Sequence, residues 1–362
     1  MKKLCCIFNY APLYRESIYL KIDEAYDAQF YFSDMKSDIV KMDYQKFKKT
    51  PKEMKYHLFL KHIPWFSGLM RIPFRKYDYV LMIGDYSFSF YPFIILCHLM
   101  GTKVYAWGHG NKTFSGKHFL FKGLYKLWDG FFSYGEGGKK RLVELGIPES
   151  KLYVIYNSLN EGVNHNSYDG LVSEELHEHF GNTLPIVLFV GRLTKVKKLD
   201  WIVNALADHR SKGLLYNVLF IGDGPVKKEL INLAKEKNVT DSIWFYGKCY
   251  DESLLNKLIF NCDLCVSPGN VGLTALHAMT YGTPVISHDN FEIQMPEYET
   301  IIPKVSGDLY EFSNYNDFCQ KIEGWLTAGY NRNSIRENCI GIINGRFNSR
   351  YQIDLIKSVL KQ

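Results

Sequence analysis

Three places in this sequence of 362 residues carry side chains and spacings that could do chemistry. The first is Phe260–Asn290, FNCDLCVSPGNVGLTALHAMTYGTPVISHDN. The strand-like run Leu264–Val266 is broken at Gly269–Gly272, and Thr274–Tyr281 has helical character. A loop that opens a helix at Gly272 and Leu273 aims unpaired N–H groups and the positive end of the helix dipole at one point, which suits phosphate. An ordinary strand–helix–strand crossover that needs glycine only for its turn has the same spacing. The second place is FVGRLTKVKKLDWIVNAL, where Arg192 and Lys197 stand five residues apart between a buried strand and an amphipathic helix. Two cations at a strand end can clamp a diphosphate, Arg as a planar fork and Lys as a point charge. The third is Tyr105–Asn111, YAWGHGN. Its glycines bring His109 out at the carboxyl edge of a sheet, where doubly wound folds seat ligands; a turn histidine bonded within its own loop is the alternative.

These residues need a scaffold, and the apolar pattern supplies one. Short apolar runs alternate with helical stretches through the first half, as in a parallel sheet covered on both faces. Strands are expected at Leu4–Phe8, Gln29–Phe32, His57–Leu60, Tyr79–Ile83, Lys103–Trp107, Gly130–Ser133 and Tyr153–Tyr156, with helices such as Phe90–Met100 and Lys139–Leu145. Asn157–Leu184 is polar and irregular and reads as a linker. The second half opens on the strand Ile186–Val190, running into Gly191 and Arg192. VLFIGDGPVKKELINLAKEKN then reads as strand, turn at Gly222, Gly224 and Pro225, and helix. It lacks the G-x-G-x-x-G spacing of dinucleotide enzymes. The chain is expected to close with helices at Asp317–Ala328 and Arg332–Lys361.

Composition narrows the class. Hydrophobic residues make up 46%, enough for packed cores and against disorder. No apolar run nears the roughly 20 residues that span a bilayer. Asn9 and Pro12 interrupt the N-terminal apolar patch before it could serve as a signal segment, so Leu4–Phe8 reads as a buried strand of a cytoplasmic protein. Eight cysteines are scattered as reduced thiols would be, and Cys262 and Cys265, with no second pair at zinc spacing, read as buried. Through residue 165 there are 24 Lys+Arg against 15 Asp+Glu, whereas the remainder holds 20 against 23, so the two halves suit different partners. The excess centres on Lys41–Tyr77, where lysines precede Trp65, Phe66, Leu69, Met70 and Ile72. Basic and aromatic side chains together suit the face of an anionic membrane; a solvated loop followed by a core helix fits the same residues. No nucleic-acid-binding motif accompanies the charge.

The Phe260–Asn290 stretch resembles the donor-binding signature of retaining GT-B glycosyltransferases of family 4, E-G-F-G-L-x-x-L-E-A-M-A-x-G-x-P-V-I. Gly272, Leu273, Leu276, Ala278, Met279, Gly282, Pro284, Val285 and Ile286 fall on matching positions. Gly191, Arg192, Leu193 and Lys197 match the family's G-R-L-x-x-x-K-G, with Lys198 where glycine is usual. The resemblance implies an α/β GT-B fold, two Rossmann-like doubly wound domains facing a central cleft. An acceptor-binding domain over 1–160, a nucleotide-sugar domain over 161–340 and a final helix over 341–362 returning to the first domain follow from it.

It also implies transfer of a sugar, with retention, from a nucleotide diphosphate to a glycan or undecaprenyl-type lipid-linked acceptor. The setting would be cell-surface polysaccharide synthesis, such as capsule or lipopolysaccharide, at the inner face of the plasma membrane. Gly191, Arg192, Lys197, Gly222, Asn270, Val271, Gly272, Leu273, Thr274 and His277 are then the donor contacts. His109, Arg192 and Lys197 are the catalytic set, with His109 turned to the sugar. No cofactor or metal is expected beyond the donor substrate, since the sequence holds no Asp-x-Asp. Two positions depart from the signature: Gly269 and His277 stand where the family has glutamates that contact the sugar and the ribose, and Asn270 is the nearest polar substitute for the first. A nucleotide-sugar epimerase of the same fold, or an inactive nucleotide-sugar-binding protein, is the alternative.

Overall fold

Fourteen strands in two separate sheets organise the residues described by the computed structural model, 1–35, 39–59, 63–84, 89–110, 123, 125–159 and 171–361. Leu60, Lys61, Asn111 and the 160–170 part of the expected linker lie outside them. The chain divides into two compact units, Met1–Glu161 with Arg346–Gln362, and Gly162–Gly345.

The first unit is built on β1 (Lys3–Phe8), β2 (Asp27–Ser33), β3 (Lys52–Phe59), β4 (Ile63–Ser67), β5 (Tyr79–Ile83), β6 (Lys103–Gly108), β7 (Gly130–Ser133) and β8 (Leu152–Val154). Their order in the sheet is β4-β3-β2-β1-β5-β6-β7-β8. All neighbours are parallel except the hairpin β3–β4. Continuous apolar runs such as VLMI in β5 are what a strand covered on both faces requires. The winding reverses between β1 and β5, so their carboxyl ends form the switch point at which such sheets open a crevice.

Aromatic rings fill the core beneath it: Phe8 meets Trp107 edge-on at 5.8 Å and Tyr19 at 5.2 Å, within the range of favourable ring pairs. The helix Ser349–Val359 joins this unit, placing Ile353 and Ile356 in the core, with Leu360 just beyond it. Gln352 donates to the Tyr156 carbonyl at 2.8 Å.

Two local expectations change. The stretch read as one helix from Arg332 is two, Arg332–Arg346 and Ser349–Val359. Asn348 breaks it: its backbone is extended and its side chain accepts the Tyr351 N–H at 2.9 Å, an N-cap that starts a new helix. The basic Lys41–Tyr77 segment holds the hairpin β3–β4 and short 3-10 turns rather than a loop and a helix. Phe66, Leu69 and Ile72 pack inward, Lys41 pairs with Glu53 at 2.9 Å, Lys46 with Glu16 at 2.7 Å, and Lys49 with Asp27.

The second unit is wholly parallel: β9 (Ile186–Val190), β10 (Asn217–Ile221), β11 (Ile243–Gly247), β12 (Leu264–Val266), β13 (Val285–His288) and β14 (Gly307–Tyr310). The order is β11-β10-β9-β12-β13-β14, so the reversal falls between β9 and β12. Gly191 and Ser267 leave these two strands side by side. Cys262 and Cys265 are buried thiols within this unit, and burial pushes Cys265 up to about 12.

Candidate functional site

At the β9–β12 switch point the structure brings together most of the residues singled out in the second half. Gly272 caps the helix Leu273–Thr280 with φ 54 and ψ −148, a conformation open in practice only to glycine. A Cβ built there would lie 3.8 Å from the Lys197 ammonium, so that cation stands at the mouth of the helix. Lys197 Nζ donates to the carbonyls of Asn270 at 2.5 Å and Val271 at 3.1 Å. Thr274 anchors the first turn by donating to the Val190 carbonyl at 2.7 Å.

The helix leaves the N–H groups of Gly272, Leu273 and Thr274 without an intrahelical partner, and none meets an acceptor among the described residues. Val271 was expected among these donors, but its N–H is already given to Gln294 Oε1 at 2.9 Å. The set aimed outward therefore begins one residue later. Arg192 is exposed one position beyond Gly191, at the same strand end as Lys197.

Gly269 accounts for its own departure from the family pattern. Its N–H donates to the Lys197 carbonyl at 2.9 Å, and a Cβ there would sit 2.0 Å from the Val196 carbonyl oxygen. No side chain fits, so a sugar-contacting glutamate is excluded by backbone packing. Gly222 has a similar constraint, since a Cβ would fall 1.9 Å from the Gly191 carbonyl oxygen; its place is to let two loops cross. Lys198, standing where glycine is usual, adopts left-handed φ 50 and ψ 43. That conformation costs about 1–2 kcal/mol. Its ammonium lies 5.0 Å from the Trp201 ring and 4.8 Å from Phe312, contacts worth about 0.5–1 kcal/mol at exposed sites.

His277 lies one helical turn past Leu273, half-buried. Burial lowers its pKa to about 4, so the ring is neutral near pH 7 and can accept one hydrogen bond and donate another. None of the described residues occupies either nitrogen.

Gln294 is the residue that sequence reasoning missed. It is 1% exposed and bonds on every side: Oε1 accepts from Val271 and from Met295, while Nε2 donates to Ser287 Oγ at 2.7 Å and to the His288 carbonyl at 2.9 Å. Ser287 in turn donates to the Ser267 carbonyl at 2.9 Å and the Gly269 carbonyl at 3.2 Å. One amide thereby ties the glycine loop at Val271 to Ser287 and His288 of β13.

In the first unit, His109 follows β6 at the β1–β5 switch point, its ring 4.8 Å from that of Tyr134. It lines a cavity of about 160 Å³ together with Asn9, Tyr10, Arg15, Trp107 and Tyr134. Close backbone packing shapes this edge: Gly110 has φ 64, and a Cβ there would lie 2.8 Å from the Gly138 carbonyl oxygen. The structure thus gathers the candidate residues at two carboxyl edges, the donor set in one unit and His109 in the other.

Two Rossmann-like units, each a doubly wound, mainly parallel sheet with candidate residues gathered at its switch point, define the GT-B fold. Residues 173–340 match the family model described as glycosyl transferases group 1. An alpha-D-kanosaminyltransferase of Streptomyces kanamyceticus is 29% identical over 119 residues, covering 32% of this chain and 31% of that protein. A glycogen synthase of Leptothrix cholodnii is 34% identical over 107 residues, 28% of this chain and 21% of its own length. The chain thus matches under a third of each of these two curated relatives. Solved structures agree over the full length: Anabaena HepE in complex with UDP has a TM-score of 0.72 at 16% identity, covering 99% of both chains. The lipopolysaccharide outer core galactosyltransferase WaaB has 0.66 at 18%, again over 99% of both.

Proposed function

We propose that this chain is a retaining glycosyltransferase of family 4 type, moving a sugar from a nucleotide diphosphate to a hydroxyl of a glycan or lipid-linked acceptor in cell-surface polysaccharide synthesis. The observation that carries the reading is the Lys197 ammonium set at the start of the Leu273–Thr280 helix beside three N–H groups with no acceptor among the described residues. That arrangement suits a diphosphate, and relatives of the same fold solved with UDP and with UDP-glucose support a uridine diphosphate donor. In this reading the second unit takes the donor and the first takes the acceptor.

The bond from the anomeric carbon to the phosphate oxygen breaks, leaving negative charge on the diphosphate and positive charge on the sugar. The acceptor hydroxyl attacks from the same face, and its proton passes to the departing phosphate oxygen. Preorganised donors at the leaving group are the main lever on such a step. Lys197, Arg192 and the N–H groups of Gly272, Leu273 and Thr274 supply them without a metal. His109 contacts the sugar and His277 the ribose. Because Gly269 can carry no side chain, a donor sugar with fewer hydroxyls, of deoxy type, suits the site.

The test is incubation with a panel of nucleotide sugars, with and without a glycan-lipid acceptor, followed by mass spectrometry. Acceptor-dependent consumption of one donor, unaffected by chelation of divalent metals, supports the reading. Acceptor-independent release of UDP with an altered sugar indicates an epimerase. Donor binding without turnover indicates an inactive binding protein.

A further inference from the structure

The first unit's cavity has a charge the donor chemistry does not use. Arg15, the last residue of a 3-10 turn and the N-cap of the first helix Glu16–Ala25, brings its guanidinium to the β1–β5 switch point. Its carbon lies 4.9 Å from the Tyr134 ring centre and 5.5 Å from that of Trp107. One terminal nitrogen donates to the Tyr134 hydroxyl. Among the described residues Arg15 has no carboxylate partner: its polar neighbours are the hydroxyls of Tyr14, Tyr19 and Tyr134, and none of the described residues lining the cavity is acidic. Glu16, next in sequence, is turned to Lys46 at 2.7 Å. Two donors of this lining, Arg15 Nε–H and the indole N–H of Trp107, are buried with no acceptor among the described residues.

A half-buried guanidinium with no counter-ion among the described residues is costly to retain, and buried donors such as its Nε–H are normally satisfied. Aromatic faces offset part of the charge but offer these N–H groups no acceptor. A planar anion, carboxylate or phosphate, would meet the guanidinium fork. The about 160 Å³ of space fits one small charged group with part of a sugar ring.

We infer that Arg15 and Trp107 form an anion subsite in the first unit, so that the acceptor is an acidic sugar bearing a carboxylate or a phosphate ester. This rests on the reading of the first unit as the acceptor domain, and it is tested by binding alone, without turnover. Calorimetric titration of the whole chain compares methyl glucuronoside, its uncharged primary amide, and glucose 6-phosphate. The charged ligands should bind about ten- to a hundredfold more tightly than the amide, the scale of a charge-assisted hydrogen bond, and whichever anion binds more tightly identifies the acceptor's charge. Arg15→Gln should bring acid and amide within about twofold of one another.

Equal binding of acid and amide to the unaltered chain, or binding of none of the three, overturns the inference, and neither result needs the variant to fold. A preference for the acid that survives in folded Arg15→Gln also overturns it. Anion binding in a chain that consumes no nucleotide sugar would instead leave the subsite standing and remove the transferase reading.

Discussion

At the scale of single residues the proposed donor site separates two roles. In the proposed transfer Lys197 carries charge, and its value is largest where negative charge develops as the diphosphate departs. Lys197→Met keeps the packed stem and removes the ammonium, so kcat should fall by about two to three powers of ten, the effect of losing one preorganised donor. A melting temperature taken on the same preparation controls for the lost bonds to Asn270 and Val271; near-normal turnover would remove Lys197 from the leaving-group site. His277 is proposed for a different role. A contact made equally to bound substrate and transition state changes affinity and not turnover. His277→Ala should therefore raise the donor KM about tenfold, near 1.4 kcal/mol, with kcat largely kept. An unaltered KM with lowered stability would mark His277 as packing alone.

At the scale of elements, the loop Ser267–Gly272 is held by Gln294 and Ser287 more than by its own turn. Gln294→Leu would strand the Val271 N–H in a buried site, at a cost of about 1–3 kcal/mol for such an unmet group. Thermal unfolding should move down and donor KM up together; a variant unfolding at the parent temperature would show that the loop holds itself. The same region is sensitive to acid. Burial keeps His288 near a pKa of about 4, below the roughly 6.5 of an unfolded histidine. Between those values the unfolded chain takes up a proton that the native one refuses. The contribution of His288 to stability is thus full above about pH 6.5 and declines as pH falls toward 4. Urea unfolding at about pH 7.5 and pH 5 should show this decline, and His288→Asn should make it shallower, leaving the share of His277, which burial also holds near about 4.

How much of this was legible follows from the same elements. Strands such as Ile186–Val190 announce themselves by unbroken apolar runs, and the glycine loop by its place between a strand and a helix. Gln294 could not be read because it sits in a polar turn, SHDNFEIQMPE, where nothing local separates a buried amide from a solvated one. Arg15 and Trp107 lie 92 positions apart in the sequence. Only the sheet order, with β1 and β6 flanking β5, brings them to one edge. The hairpin β3–β4 was obscured because its lysines mask the alternation beneath them.

At the scale of the whole molecule the charge is uneven, and the hairpin determines what that charge can do. Lys41, Lys46 and Lys49 are spent on acidic partners of their own unit, which weakens the simple sum of basic residues. Lys52, Lys55, Arg71, Arg75 and Lys76 remain exposed, with Met70 about half exposed among them. Lys52, Lys55, Met70 and Arg71 border a groove of about 760 Å³ that Trp65 and Phe66 also line. Each such cation contributes about 1 kcal/mol near anionic headgroups, so five together would hold the protein to a charged leaflet without a helix long and apolar enough to cross it. We propose that this edge rests on the membrane that carries a lipid-linked acceptor. The attraction is screened where the Debye length shrinks to about 3 Å, near 1 M salt. Sedimentation with vesicles rich in phosphatidylserine should recover the protein at low salt and release it at about 1 M. Lys52→Glu with Lys55→Glu should abolish recovery while leaving transfer to a water-soluble acceptor intact. Equal recovery with neutral vesicles, or none with either kind, would exclude an electrostatic membrane contact.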